Sequence, residues 1–183
     1  TTFTKPAEGA TLTVNAKITD TANNQTGAGS DSATLDTITP NTNAAPTVTI
    51  TTDANNDGWV NSAELDAGTT FAVRADFDKT RVAVGDRVVF NDGTTTMSVT
   101  LTPTDIANGY VTTTFTQPAE GTRLTVTATV NDAANNQSAP GSDSARLDTI
   151  APNGGNAPTV TITTDADNDG YVNSAELGSN TTF

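Results

Sequence analysis

The chain repeats itself at a fixed offset. Residues 1–45 open TTFTKPAEGATLTV, and residues 113–157 open TTFTQPAEGTRLTV. The stretch PTVTITTDANNDGWVNSAEL from Pro46 returns as PTVTITTDADNDGYVNSAEL from Pro158. Both matches share one offset, 112 residues, with no gap. The chain is therefore about 1.6 copies of one unit: the tail of one repeat with its linker (1–45), a complete repeat with its linker (46–157), and the head of the next (158–183). A period this long marks a tandem array of whole domains, because solenoid turns recur every ~20–50 residues. The expected joint is the Pro/Asn/Ala-rich stretch 37–45, equivalent to 149–157. Domains joined by so short a peptide share little interface and should hinge freely unless something crosses the joint.

Within the complete unit, strands follow from the alternation of apolar and polar residues. Val48 and Ile50 oppose Thr47, Thr49 and Thr51; Phe71, Val73, Ala75 and Phe77 come next; Leu124, Val126, Ala128 and Val130 form the cleanest run. The pattern predicts strands A at 46–51, B at 69–77, C at 86–91, D at 95–102, E at 109–116, F at 122–130 and G at 143–149. Threonine, about a fifth of the chain, favours strands, while Asn, Asp, Gly and Pro fill the turns. Such short strands with turn signals between them indicate an all-β fold: tandem immunoglobulin-like β-sandwich domains with Greek-key connections, about seven strands per repeat. By the same measure residues 1–45 lack strands A to D, and 158–183 reach only Phe183 in strand B, so neither flank makes a sandwich alone.

The absence of Cys and His removes disulfides, thiolate chemistry, the commonest general base and the commonest transition-metal ligand. Paired carboxylates hydrolyse glycosides in some enzymes, but no groove or nucleophile is suggested here, and no enzyme is expected. With 21 acidic and 8 basic residues the net charge is −13, which opposes nucleic-acid binding. No apolar run approaches the roughly 18 residues of a membrane span, so no membrane insertion is expected of this segment. Apolar residues make up only 34% of the chain and aromatics 5%, which implies a thin core. Bound cations are then an expected second source of stability.

The sharpest chemical signal lies between strands A and B. Asp53, Asn55, Asp57 and Asn61 put oxygen side chains at positions 1, 3, 5 and 9 of a twelve-residue loop. Gly58 at position 6 permits a sharp turn, Trp59 at 7 offers its carbonyl, Val60 at 8 anchors the loop inward, and Glu64 at 12 offers two oxygens. A hard cation such as Ca2+ takes six to eight oxygens at about 2.3–2.6 Å, and a loop must wrap around it to deliver them. The set recurs as Asp165, Asp167, Asp169, Tyr171, Asn173 and Glu176. An Asx-rich turn that caps its own backbone would account for the first six positions. It leaves the glutamate at position 12, found twice, without a role. The loop has the pattern of an EF-hand, but PTVTITT before it is a strand and Asn61–Leu65 allow a single helical turn at most. No helix pair is available to open on binding, so a structural staple is expected rather than a sensor.

Sandwich topology places this loop at the end from which the chain leaves, near Asp148 and near Glu120 of the E–F loop. At the opposite end lie Asp76, Asp78 and Asp86 around the B–C turn, and Asp132, Asn135 and Asn136 in the F–G loop. The incoming linker adds Asp36 and Asn43. Each joint thus gathers carboxylates from two domains and a linker, and calcium there is expected to stiffen it. The complete unit carries 13 acidic and 6 basic residues, so a cation at the joint also relieves repulsion.

The loop after PTVTITT, the VNDAANNQS turn after strand F and the DTITP (36–40) and DTIAP (148–152) exits resemble the immunoglobulin-like repeats of giant RTX-type bacterial adhesins, the biofilm-associated and ice-binding group. The resemblance spans 46–157 and both flanks. It implies cell-adhesion extender repeats on a type I-secreted, extracellular, cell-surface protein. In that group such repeats project a distal ligand-binding region, and calcium at the junctions stiffens the array. It also maps a junction aspartate onto Asp36 and Asp148. The period of 112 residues and the complete twelve-residue loop are not shared by every member. The expected partners are the neighbouring repeats. The alternative is a calcium-dependent module that binds a ligand or carbohydrate through its loops. Against it, the best loop lies where the next domain should sit, and exposed aromatics for sugar stacking are few.

Overall fold

The computed structural model describes residues 1–182; Phe183, which the sequence places in strand B of the next repeat, lies outside the described residues. The chain falls into two units, Thr1–Thr149 and Ile150–Phe183. In the first unit a hairpin, β1 (Thr11–Ala16) and β2 (Gly29–Thr34), precedes β3 (Thr47–Ile50), β4 (Trp59–Val60), α1 (Ser62–Leu65), β5 (Thr70–Asp76), β6 (Arg87–Asn91) and β7 (Thr96–Thr100). Then come α2 (Pro103–Asn108), β8 (Tyr110–Thr116), β9 (Arg123–Asn131) and β10 (Gly141–Leu147). The second unit contains the turn of helix α3 (Ser174–Leu177).

Strands β3 to β10 form two sheets, one ordered β4-β10-β9-β6-β7 and the other β3-β5-β8. The pairings are antiparallel except that the two-residue β4 runs parallel to the end of β10, Trp59 opposite Arg146 and Val60 opposite Leu147. Alternation decides which side chains enter the core. Phe71, Val73 and Ala75 of β5, Val88 and Phe90 of β6, and Val126, Ala128 and Val130 of β9 are all buried in one cluster. Ile50 joins it just before the acidic loop and Val60 from position 8 within it, so the core residues hold the loop at its start and in its second half.

Two elements depart from the alternation pattern. Helix α2 follows β7 where the pattern runs strand D on to residue 102; Thr102 accepts from the Asp105 N–H while Asp105 Oδ2 accepts from the Thr102 N–H, a capping box with Pro103 at the first helical position. The second is β4, too short to show any period.

The incoming joint is also more firmly held than its composition suggests. Asn41 is buried: its N–H donates to Arg81 O (2.9 Å), its Nδ2 to Ala44 O (2.8 Å), and its Oδ1 accepts from the Asp78 N–H (2.8 Å). Ala139 N–H donates to Asn43 O at 3.3 Å. The linker 37–45 is therefore tied to the unit that follows by bonds that involve no ion, because one asparagine supplies polar partners for its loops.

Candidate metal centre

Asp53 organises the first loop. It is buried, and its Oδ1 and Oδ2 accept from the N–H groups of Asp57 (3.1 Å) and Gly58 (2.8 Å). Asn55 Oδ1 also accepts from the Asp57 N–H (3.0 Å), and Asp57 Oδ1 accepts from the Trp59 N–H (2.9 Å). These bonds curl the chain around Asp53, with Asn55 Nδ2 donating to Asp57 Oδ2 at 3.1 Å. Gly58, at φ 85°, takes the left-handed conformation that makes the turn possible. Beyond it, Gly58 O and Val60 O accept from the N–H groups of Arg146 (2.9 Å) and Asp148 (3.0 Å). Successive strand carbonyls point opposite ways, which leaves the Trp59 carbonyl directed away from β10.

The last two ligand positions form a helix start. Asn61 caps α1: its Oδ1 accepts from Ala63 N–H (2.9 Å) and Glu64 N–H (3.1 Å). Glu64 Oε2 accepts from the Asn61 N–H (3.1 Å) and Nδ2 (2.7 Å), and its Oε1 reaches back to the Ala54 N–H at 3.2 Å. The glutamate at position 12 thus has a local role without any ion, the role that the Asx-turn alternative lacked. The two roles are compatible, since each carboxylate oxygen carries more than one lone pair.

Among the described residues, the second loop reproduces the side-chain-to-backbone bonds of this pattern, without counterparts of the Asn61 Nδ2–Glu64 bond or of the bonds to β10. Asp165 accepts from Asp169 (3.1 Å) and Gly170 (2.9 Å), Asp169 from Tyr171 (2.8 Å), and Glu176 from Ala166 (3.0 Å) and Asn173 (2.9 Å), with Asn173 capping α3. Aspartate at 167 takes the place that Asn55 holds in the first loop, and carboxylate oxygens of Asp165, Asp167 and Asp169 lie within 4.8 Å of one another. An all-oxygen, anionic set of this kind suits a hard divalent cation.

The remaining acidic candidates divide. Asp148 follows β10 and its N–H meets Val60 O, so it stands beside the first loop. Glu120 receives the Thr149 N–H and Oγ1, both at 2.8 Å, and Glu8 binds Thr37 in the same way in the preceding repeat. Asp76 is engaged in an ion pair with Arg74, whose guanidinium lies 4.0 Å over the Tyr110 ring. Asp78 accepts from the Thr80 hydroxyl and N–H, which hold its carboxyl below the usual range. At the incoming joint Asn136 Nδ2 joins Asp132 Oδ2 (2.8 Å) to the Asp36 carbonyl (3.2 Å). Asp86 lies in the same cleft, its carboxyl pushed up by burial and by the charges of Asp132 and Asp36, against the pull of the Ala83 N–H. Asp36, Asp86 and Asp132 therefore line one cleft at the joint, without the close convergence of the second loop, and Asp76 and Asp78 have other partners. The sequence held no signal for the role of Asn41, nor for that of Asp143, whose Oδ2 accepts from the Ile50 N–H at 2.7 Å and ties β10 to β3 across the sheets.

No family profile matches the chain. No curated protein sequence matches it. Among solved structures, a Ca2+-stabilised adhesin with which an Antarctic bacterium reaches out and binds ice is similar over 77% of this chain, at 23% identity and a TM-score of 0.42. The match covers 32% of that structure's length. Among the described residues, no helix is long and apolar enough to cross a membrane.

Proposed function

We propose that the chain is part of a non-catalytic, calcium-stapled array of immunoglobulin-like sandwiches, an extender of a secreted bacterial surface adhesin. In this reading Ca2+ binds Asp53, Asn55, Asp57, Trp59 O, Asn61 and Glu64 in one repeat, and Asp165, Asp167, Asp169, Tyr171 O, Asn173 and Glu176 in the next. Asp36, Asp86 and Asp132 offer a further position at the incoming joint. The observation that carries the reading is the convergence of the Asp165, Asp167 and Asp169 carboxylates in a loop that occurs twice with the same side-chain bonds from its first residue to the N–H groups at positions 5 and 6. Three anionic groups held that close repel one another, and a cation converts the repulsion into cross-links.

The chain should melt at higher temperature in millimolar calcium than in chelator. Ligand at a hundredfold excess over Kd adds about 2.7 kcal/mol to a folded state that alone binds it. Magnesium should do little at the same concentration, because it demands a compact octahedron and gives up its water reluctantly. Glu64→Gln tests the site: glutamine keeps an acceptor for the capping box but cannot also receive the Ala54 N–H, so loss of a charged ligand is read from the calcium-induced rise in melting temperature and not from stability in chelator. Equal melting in calcium and chelator defeats the staple. For the extender role, X-ray scattering of a tandem of complete repeats should give a long, rigid particle with calcium and a more flexible one without it. A second reading, calcium-dependent carbohydrate binding, draws on one observation: Trp59 and Tyr171, at position 7 of each loop, are exposed. Calcium-dependent signal on a glycan array would favour it.

A further inference from the structure

Positions 11 and 34 face each other across the β1–β2 hairpin, and the equivalent positions, 123 and 146, face each other across β9 and β10. The first pair is Thr11 and Thr34, whose hydroxyls bond to each other at 2.7 Å. The second is Arg123 and Arg146. Like charges directly opposite on a sheet are destabilising, so the sandwich carries a cost here that the preceding repeat does not. No carboxylate offsets it: among the described residues the one ion pair joins Arg74 to Asp76. With 21 acidic residues in the chain against 8 basic ones, two neighbouring arginines without an acidic partner run against the composition.

The row continues onto a third strand. Trp59 of β4 lies opposite Arg146, whose guanidinium stands 5.3 Å from the centre of the indole ring. Leu124, Leu147 and Val60, the next residue on each strand, are buried in the core. Arg123, Arg146 and Trp59 therefore share the solvent face of the sheet. Both arginines are tethered: Arg123 Nη1 donates to Ser144 Oγ at 2.8 Å, and Arg146 Nε to the Gly121 carbonyl at 2.6 Å. Each guanidinium carries five N–H groups, and these bonds use one of each.

We propose that the row Arg123–Arg146–Trp59 is a binding site for a short carboxylated sugar. The guanidinium forks match a carboxylate in both shape and charge. An anion between the two arginines turns their mutual repulsion into two attractions. The sugar ring that bears the carboxylate then lies along the row against the indole, which is 43% exposed. A long polyanion would meet the field of a chain whose net charge is −13. A mono- or disaccharide would not, because charges more than about 8 Å away are screened at physiological salt. None of the three side chains is a carboxylate, so the site needs no calcium.

The test is a titration of the 15N-labelled 183-residue chain, freed of metal on a chelating resin, with the disaccharide of galacturonic acid. The indole N–H resonance of Trp59, the only tryptophan, reports on the row. It should shift saturably with a midpoint in the roughly millimolar range. The neutral disaccharide of galactose should leave it in place, and acetate and inorganic phosphate should act only at higher concentration. Arg123→Thr combined with Arg146→Thr recreates the pair of the first hairpin, so the chain should melt no lower than before. The same variant should raise the midpoint about tenfold or more, because hydrogen bonds to charged groups are lost. Arg123→Lys and Arg146→Lys keep the charge but lose the fork, and each should also weaken binding. The proposal is overturned by no shift in the metal-free chain, by a shift that appears only in calcium, or by an equal response to the neutral disaccharide. Equal midpoints for acetate or phosphate overturn it too, since the row is then a plain anion site, as does binding that the threonine pair and both lysine variants leave unchanged.

Discussion

The two acidic loops share one hydrogen-bond pattern and differ in what surrounds them. The first is built into a sandwich: Val60 is buried, Trp59–Val60 form β4, and Arg146 approaches the Trp59 ring at 5.3 Å. In the second, Val172 is half-buried and Tyr171 exposed, yet it carries the extra carboxylate of Asp167. The first is held in shape mostly by the fold, and the second by its own Asx bonds and capping box. Rigidity and charge, the two quantities that set calcium affinity in such loops, are thus distributed unequally between copies. The more exposed surroundings go with the greater charge.

Removing position 1 should separate the copies most strongly. Asp53→Ala takes the acceptor from the Gly58 N–H and one of two acceptors from the Asp57 N–H, in a loop pinned to the core, which costs about 1–3 kcal/mol. Because the bonds are made without an ion, the loss should appear in chelator as well as in calcium. Asp165→Ala should leave the unfolding of the sandwich where it was. Urea titrations followed by the fluorescence of Trp59, the only tryptophan, measure both. Equal losses from the two variants would mean that the loops are not supported differently.

Charge is the next lever. Asn55→Asp gives the first loop the carboxylates of the second while keeping its support, so its calcium affinity should rise by about tenfold, or ~1.4 kcal/mol. In chelator the same variant should be slightly less stable, because the added carboxylate is repelled by Asp53 and Asp57. Asp167→Asn should lower the affinity of the second loop in the complementary direction. Calorimetric titration of each variant decides; unchanged affinity in both would make position 3 irrelevant to binding.

Much of this was legible in the residues. The 112-residue offset, the alternating runs and the spacing of oxygens in the loop are local patterns, and each of the seven expected runs overlaps a strand. The structural facts that escaped depend on contacts between distant segments. Asn41 bonds to Asp78 and Arg81, and Asp143 to Ile50; nothing near either residue in sequence points to its partner. Helix α2 was hidden for a different reason. Its signal, Thr102-Pro103 with Asp105, is a capping pattern, and in six residues a single apolar anchor, Ile106, makes no period.

The incoming joint supplies a pH test. Asp86 holds its proton more tightly folded than unfolded, owing to burial and to Asp132 and Asp36. Between the ordinary carboxylate value and the raised one, the native state therefore binds more protons than the unfolded state, and stability falls as pH rises through that window. At neutral pH the penalty is fully present. Asp86→Asn should raise stability in chelator at neutral pH and remove the fall across that window, while the Ala83 N–H keeps an acceptor. If a cation occupies the joint as proposed, the same substitution should help less or do harm in calcium, because the cation would already offset the repulsion. A stabilisation of equal size in calcium and chelator would remove the joint from the list of cation sites and leave the two loops alone.

The smallest effect concerns how the linkers turn. Asn41, Thr42 and Asn43 have φ of 53°, 52° and 59°; in the second linker Asn153, Gly154 and Gly155 have φ of 54°, 60° and 77°. Three successive left-handed residues reverse the chain in both places, but the first linker spends a β-branched threonine on a conformation that costs about 1–2 kcal/mol outside glycine. Thr42→Gly relieves that strain and also loosens the unfolded chain by about 0.5–1 kcal/mol. The net gain should therefore be at most about 1 kcal/mol, with Asn41 still making its buried bonds. Thr42→Val keeps the branched shape, so it should show no gain. Thermal melts of the two variants in chelator, where calcium cannot mask the joint, are the appropriate measurement. If Thr42→Gly lowers stability by more than its unfolded-state effect, the threonine hydroxyl holds the turn, and the two linkers achieve the same path by different means.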